Sequence, residues 1–203
     1  MNVVFDSMGT LFELTPVQER LGAAATEAWF ERTLHSAATL TAVGEFVPFS
    51  ELARTTLATT CAELELAADQ EDVLAQLQQL PPADDARAAL EACEHAFVLT
   101  NGGREAGEGL LARAGLDNLV ERVFGVDEVQ AYKPDPRPYR LVLDTVGDAT
   151  LVAAHAWDCL GAVHAGMRAV WVNRSERVWP FPDALLDGDG LREVPRLVDI
   201  QAA

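Results

Sequence analysis

Lysine is all but missing from this chain. Fourteen of the fifteen basic residues are Arg, and the single lysine is Lys133. An ammonium is a compact point charge and a guanidinium is a planar fork, so the two are not interchangeable at a built site. By composition alone, accident and a local need for an ammonium weigh evenly. Basic charge as a whole is also scarce: 15 Lys and Arg stand against 32 Asp and Glu, a net charge of -17. A nucleic-acid backbone or an anionic membrane surface would be repelled, which argues against both as partners. A small anion would need a local cluster of donors working against that field. Cysteine is sparse too, and Cys61, Cys93 and Cys159 are odd in number and lack metal-ligand spacing. They read as reduced, buried thiols, which points to a cytoplasmic protein. No apolar run approaches the ~20 residues that span a bilayer, and no basic, apolar leader precedes the first strand-like run.

What is present suits a globular domain. The 203 residues, 49% of them hydrophobic, can bury one core plus a small insert. Residues 2–5 form a short apolar run that stops at Asp6. From Pro16 to about Leu90 the chain is rich in Ala, Leu, Glu and Gln. Leu21, Ala24, Ala25 and Ala28 recur at helical spacing there, and Pro16 suits a first helical turn. This predicts a helical insert over 13–85. From Asp85 on, helical and strand-like stretches alternate, with strands over 96–99, 123–126, 151–154 and 169–172. Helices are expected over 86–93, 105–114, 136–146 and 160–165. Such alternation predicts an α/β fold: a doubly wound, mostly parallel, Rossmann-like sheet from 1–12 and 86–203.

Sheets of this kind bind ligands beyond the carboxyl ends of their strands. Asp6, Thr100 and the stretch 155–158 each follow a strand, and Lys133 lies in the loop after another. An ammonium near Asp6 would keep the carboxylate ionised as a nucleophile and stabilise developing charge. Gly9 and Thr10 allow a tight turn there, Thr100 and Asn101 offer donors for an anion, and Asp158 could orient Lys133. Alternatively, Asp6 caps the next segment and the Thr100-Asn101-Gly102 stretch is a plain turn. His155 is titratable near neutrality and could serve as a base, or be a hydrogen-bonded histidine at a strand end.

These segments resemble, in order and spacing, the four motifs of the haloacid dehalogenase superfamily. Phe5-Asp6-Ser7-Met8-Gly9-Thr10 matches the first and Leu99-Thr100-Asn101-Gly102 the second. Tyr132-Lys133-Pro134, with Tyr139, matches the third, and Ala156-Trp157-Asp158 with Gly161 the fourth. The resemblance covers nearly the whole chain and implies that the insert is a cap. It implies catalytic roles for Asp6, Lys133, Asp158 and His155. It implies substrate contacts from Thr10, Thr100, Asn101, Tyr139, Phe30 and Trp157.

The phosphatases of the superfamily carry a second Asp where this chain has Met8, and a further metal-binding Asp where it has Ala154. Met8 has no proton to give, and a hard cation would lack oxygen ligands. The metal-independent 2-haloacid dehalogenases are a better match. The resemblance then implies that Asp6 displaces halide from a 2-halo carboxylic acid, and that water cleaves the resulting ester to a 2-hydroxy acid. No cofactor is expected; magnesium enters only under the phosphatase alternative. The partner would be a small anionic substrate, and the Ala-rich cap leaves a homodimer open. This chain departs from that branch at Phe30, where those enzymes carry a cap Arg, and at His155 and Ala153, which replace an Asn and a Ser. Two alternatives stand beside the dehalogenase: a phosphatase of weak activity, and a non-catalytic binding protein.

Overall fold

A computed structural model describes residues 1–174, 178–182 and 190–201; positions 175–177, 183–189 and 202–203, within the expected core, lie outside them. Among the described residues, six strands form one sheet: β1 (Asn2–Asp6), β2 (His95–Thr100), β3 (Arg122–Gly125), β4 (Ala149–Ala153), β5 (Arg168–Val172) and β6 (Leu191–Val194). All neighbours are parallel. The strand order is β3-β2-β1-β4-β5-β6. The first strands therefore build outward from β1 on one side, and β4 then starts the other side. The order reverses between β1 and β4, where a crevice opens at the strands' carboxyl ends.

The strands read as continuous apolar runs because both faces are covered. Val3 and Phe5 join one core while Val4 joins the other; Val98 and Leu99 divide in the same way. This is the two-residue alternation of a pleated strand. Helices α5 (Ala86–Glu91) and α6 (Arg104–Ala114) cover the first face. Helices α7 (Pro136–Val146) and α8 (Ala156–Ala165) cover the second. Helix α8 begins four residues earlier than the expected 160. Its apolar spacing starts late, but His155 already takes the N-cap position and the chain coils at once. The strand β6 is a half-exposed Leu-Arg-Glu-Val at the sheet edge, with no apolar run to announce it.

Between β1 and α5 lies a helical insert: α1 (Thr15–Leu21), α2 (Ala23–Ala42), α3 (Phe49–Glu63) and α4 (Gln70–Gln76). The chain leaves and returns at one place, since Glu13 N donates to Pro81 O and Ala83 N to Leu11 O. Helix α2 is fixed in rotation by Trp29. Its indole is buried, and Nε1 donates to Ala53 O at 3.0 Å and Thr56 Oγ1 at 3.2 Å on α3. Thr33, one turn on, shares a 2.7 Å hydrogen bond with Thr56. Burying an indole this way contributes about 1.5–3 kcal/mol. With Trp29, Thr33 and Ala37 turned inward, Phe30 and Leu34 share a neighbouring face, four residues apart. Among the described residues, no helix is long and apolar enough to cross a membrane.

Candidate active site

Asp6 ends β1 at the crevice and is buried. Lys133 reaches it from the loop after β3, with Nζ 2.8 Å from Asp6 Oδ1. The same ammonium donates to Asp158 Oδ2 at 2.6 Å and to Leu99 O at 3.1 Å. An ammonium has three protons, and all three are thereby spent. Thr10 donates to the other Asp6 oxygen, Oδ2, at 2.8 Å, and its hydroxyl accepts from Ala154 N at 2.9 Å. Thr10 thus ties β1 to the end of β4 across the switch point.

The loop that carries Lys133 is held at both sides. Lys133 N donates to Asn101 Oδ1 at 3.0 Å. The fully buried Tyr132 donates from its hydroxyl to Val47 O at 2.8 Å, and its backbone N donates to Thr41 Oγ1. Asp135 then caps α7 by accepting from Arg137 N, and Pro136 fills the first helical position. Gly161 lets α8 approach closely: a Cβ there would lie 2.7 Å from both Pro134 Cβ and Tyr139 Oη. Tyr139 Oη donates to Asp158 Oδ1 at 2.6 Å. Asp158 sits in the first turn of α8, where the helix dipole favours a negative charge.

Charge at the site follows from these contacts. Burial opposes the charge of Asp6, but Lys133, then His155, outweigh it and hold the carboxyl well below the usual range. Burial also opposes the Lys133 ammonium, and Asp158 and Asp6 overcome it, so its pKa is raised. Asp158, fully enclosed and near the charge of Asp6, is pushed up despite Lys133. His155 Nδ1 lies 3.4 Å from Asp6 Oδ2 but makes no aligned hydrogen bond. Burial works against its imidazolium, and the Asp6 carboxylate more than compensates, so its pKa is raised.

Over Asp6 lies a cavity of about 20 Å³, lined by Met8, Phe30, Leu34, Phe49, Thr100 and Asn101 with Gly102, His155 and Trp157. That is about the room one water needs. Phe30, Leu34, His155 and Trp157 also border a cavity of about 650 Å³ that runs along α2. His155 stacks on Trp157 with ring centroids 5.6 Å apart and tilts against Phe30 at 5.9 Å.

The structure thus gathers Asp6, Thr10, Lys133, His155, Asp158, Thr100, Asn101, Phe30 and Trp157 around one crevice. It divides them into two layers. Phe30, Thr100, Asn101, His155 and Trp157 line the small cavity with Asp6. Asp158 and Tyr139 are wholly buried behind Lys133 and do not line it, and Thr10 touches Asp6 from the side. The Thr100 hydroxyl accepts from Gly102 N at 2.9 Å, which makes the turn and leaves its proton to give. Arg32 pairs with Glu63 on the insert's outer side and does not reach Asp6's cavity. Sequence reasoning did not select Leu34 and Phe49. Leu34 was findable, being one helical turn beyond Phe30; Phe49 carried no such signal.

The donor set does not fit a hard cation. Met8 and Ala154 bring a thioether and a methyl group, and the facing oxygens of Asp6 and Asp158 hold an ammonium. Among the described residues, no three His, Cys, Asp or Glu side chains are grouped to hold a metal ion.

Comparison with known proteins agrees with this geometry. Residues 1–166 match the family model of haloacid dehalogenase-like hydrolases. The chain belongs to that family. Among the relatives of this dehalogenase-like hydrolase is the (S)-2-haloacid dehalogenase H-109 of Pseudomonas putida. It is 29% identical over 196 residues, 87% of each chain. Haloacetate dehalogenase H-2 of Moraxella sp. (strain B) is 26% identical over 190 residues, 85% of each chain. Among solved structures, the L-2-haloacid dehalogenase of Xanthobacter autotrophicus with chloropropionic acid covalently bound superposes with a TM-score of 0.86. It is 26% identical, with coverage of 99% of this chain and 96% of that one. These relatives place the hydrolase in the 2-haloacid dehalogenase branch of the superfamily.

Proposed function

We propose that this hydrolase displaces halide from small 2-halo carboxylic acids, with Asp6 as nucleophile, and releases 2-hydroxy acids. One observation carries the reading: a buried carboxylate fixed at both oxygens, by Lys133 and by Thr10, faces a small cavity at the switch point that shares Phe30, Leu34, His155 and Trp157 with the larger one along α2. The fixed geometry spares the reaction the cost of orienting a carboxylate, and exclusion of water leaves it a stronger nucleophile. The covalent complex of the Xanthobacter relative supports an ester route. In the first step an Asp6 oxygen bonds to the carbon that bears the halogen, and the carbon–halogen electron pair leaves as halide. In the second, water adds to the Asp6 carbonyl carbon, the ester bond breaks, and Asp6 is restored. Lys133 and Thr10 stay on the two oxygens and take up charge in the adduct. The substrate carboxylate fits the β2 end, where Thr100 has a proton to give and the Asn101 amide nitrogen is unspent. His155, which lines the cavity, is the base for the water; Asp158, enclosed behind Lys133, is a positioning residue. The helical insert acts as the cap that closes over Asp6, and no cofactor takes part.

The test is halide release from a panel of 2-chloro, 2-bromo and 2-iodo acids, in parallel with generic phosphate esters in magnesium. Halide release without added metal supports the reading. A folded protein that releases no halide from any member, or one that turns over only phosphate esters, overturns it.

A further inference from the structure

A leaving halide needs a positive partner, and the cavity offers few. Lys133 has no proton left, since Asp6, Asp158 and Leu99 take all three. Phe30 stands on the face of α2 toward Asp6 and carries no charge, and Arg32 is paired with Glu63 away from it. Of the described residues that line either cavity, His155 is the one remaining side chain able to carry positive charge. Its Nδ1 is enclosed and turned to the nucleophilic carboxylate at 3.4 Å, which leaves Nε2–H, the donor farther from Asp6, to meet a leaving group. Phe30 and Trp157 flank its ring. A polarisable, weakly hydrated halide suits such a setting: aromatic rings on two sides and one charged donor between them. Gly9 makes the position available, because a Cβ there would lie 2.6 Å from His155 Cε1.

We propose that protonated His155 is the group that receives the departing halide, before it serves as base in the second step. This rests on the dehalogenase reading above. The charged groups around the imidazole are Asp6 from β1, Lys133 from the loop after β3 and Asp158 from α8, with Glu27 and Glu31 of α2 on the wider cavity. While Asp6 is ionised, it holds the proton on His155. In the first step the imidazolium N–H donates to the halide as the carbon–halogen bond breaks, and it stays protonated. Ester formation removes the charge of Asp6 and with it the main support for the imidazolium. The proton then passes to solvent, the halide leaves, and neutral His155 accepts a proton from the attacking water. Each turnover consumes the halo acid and one water and yields hydroxy acid, halide and one proton.

Single turnover with excess enzyme separates the steps, because halide release reports the first alone. His155→Gln should slow halide release about 100-fold with a chloro acid, the usual effect of losing one preorganised donor. The effect with the iodo acid should be much smaller, since iodide leaves with little help. In the wild type, that first-step rate should fall as pH rises through the His155 pKa. Unchanged halide release with slowed ester breakdown would overturn the proposal and leave His155 a base only. A first-step rate that rises with pH would overturn it too. No halide from the wild type would instead defeat the dehalogenase reading. A binding measurement stands apart from turnover: in Asp6→Asn, at a pH low enough to keep His155 protonated, bromide should shift the His155 ring signals saturably, and should cease to do so once the ring is neutral. Only four histidines need assignment. Absence of a shift in that variant counts against the halide site whatever the activity.

Discussion

Replacing Lys133 by Met tests how the site is held together. The two side chains are similar in volume, so packing changes little. The ammonium is wholly buried and bridges Asp6 and Asp158, at 2.8 and 2.6 Å. Removing it leaves the enclosed Asp158 with no counter-charge and Asp6 with only the His155 imidazole, 3.4 Å away. Breaking a buried ion pair from one side destabilises by about 3–5 kcal/mol. For a chain of this size each kcal/mol moves the midpoint by about 2–4 °C, so the melting temperature should fall by about 6–20 °C near pH 7. The pH dependence has a definite sign. In the variant, Asp158 is enclosed without a cation and its folded-state pKa lies above the unfolded value, so the penalty is absent in acid and grows as pH rises past about 4. In the wild type Asp6 is depressed, so its contribution is present above that pH and is lost as pH falls. The gap between the two proteins should therefore narrow steadily toward acid. The assay is thermal unfolding by circular dichroism from pH 4 to pH 8. A variant that melts with the wild type at pH 7, or a gap that widens in acid, would refute the reasoning.

Two further substitutions probe the layers around Asp6. Tyr139→Phe removes the 2.6 Å hydrogen bond to Asp158 Oδ1 and should cost about 1.5–3 kcal/mol in thermal stability, with kcat lowered and KM nearly constant, because Tyr139 does not face the cavity. Gly9→Ala places a Cβ against His155 at a backbone φ of 83°. It should lower turnover and bring the His155 pKa, read by NMR titration, back toward the ordinary histidine value as the ring leaves Asp6; an unmoved pKa would show that the ring was not pushed.

Much of this arrangement was legible in the residues, for a physical reason. A strand buried on both faces must be apolar, so a polar residue at its end stands out, as Asp6 and Thr100 do. The scarcity of lysine made Lys133 conspicuous before any partner was known. Less legible were contacts that need the third dimension. Nothing local in Thr10 says that its hydroxyl joins the Asp6 carboxylate to Ala154 N, or that Asn101 pins the Lys133 backbone. The sequence placed Tyr139 among the residues that meet substrate, whereas its hydroxyl turns to Asp158. The edge strand β6 escaped notice because its residues are half solvated and lack a period-two apolar pattern. Tyr132 and Gly161 are similar cases: their importance lies in what packs against them.

The central claim is that Asp6 itself forms the ester. Turnover of a 2-halo acid in heavy-oxygen water, with enzyme in excess, followed by mass analysis of the peptide that contains Asp6, tests it directly. Water that attacks the Asp6 carbonyl leaves its oxygen in the carboxylate, so the peptide should gain heavy oxygen while the first hydroxy acid released stays unlabelled. Label in the hydroxy acid alone, with Asp6 unlabelled, would mean that water attacks the substrate carbon and would contradict the account.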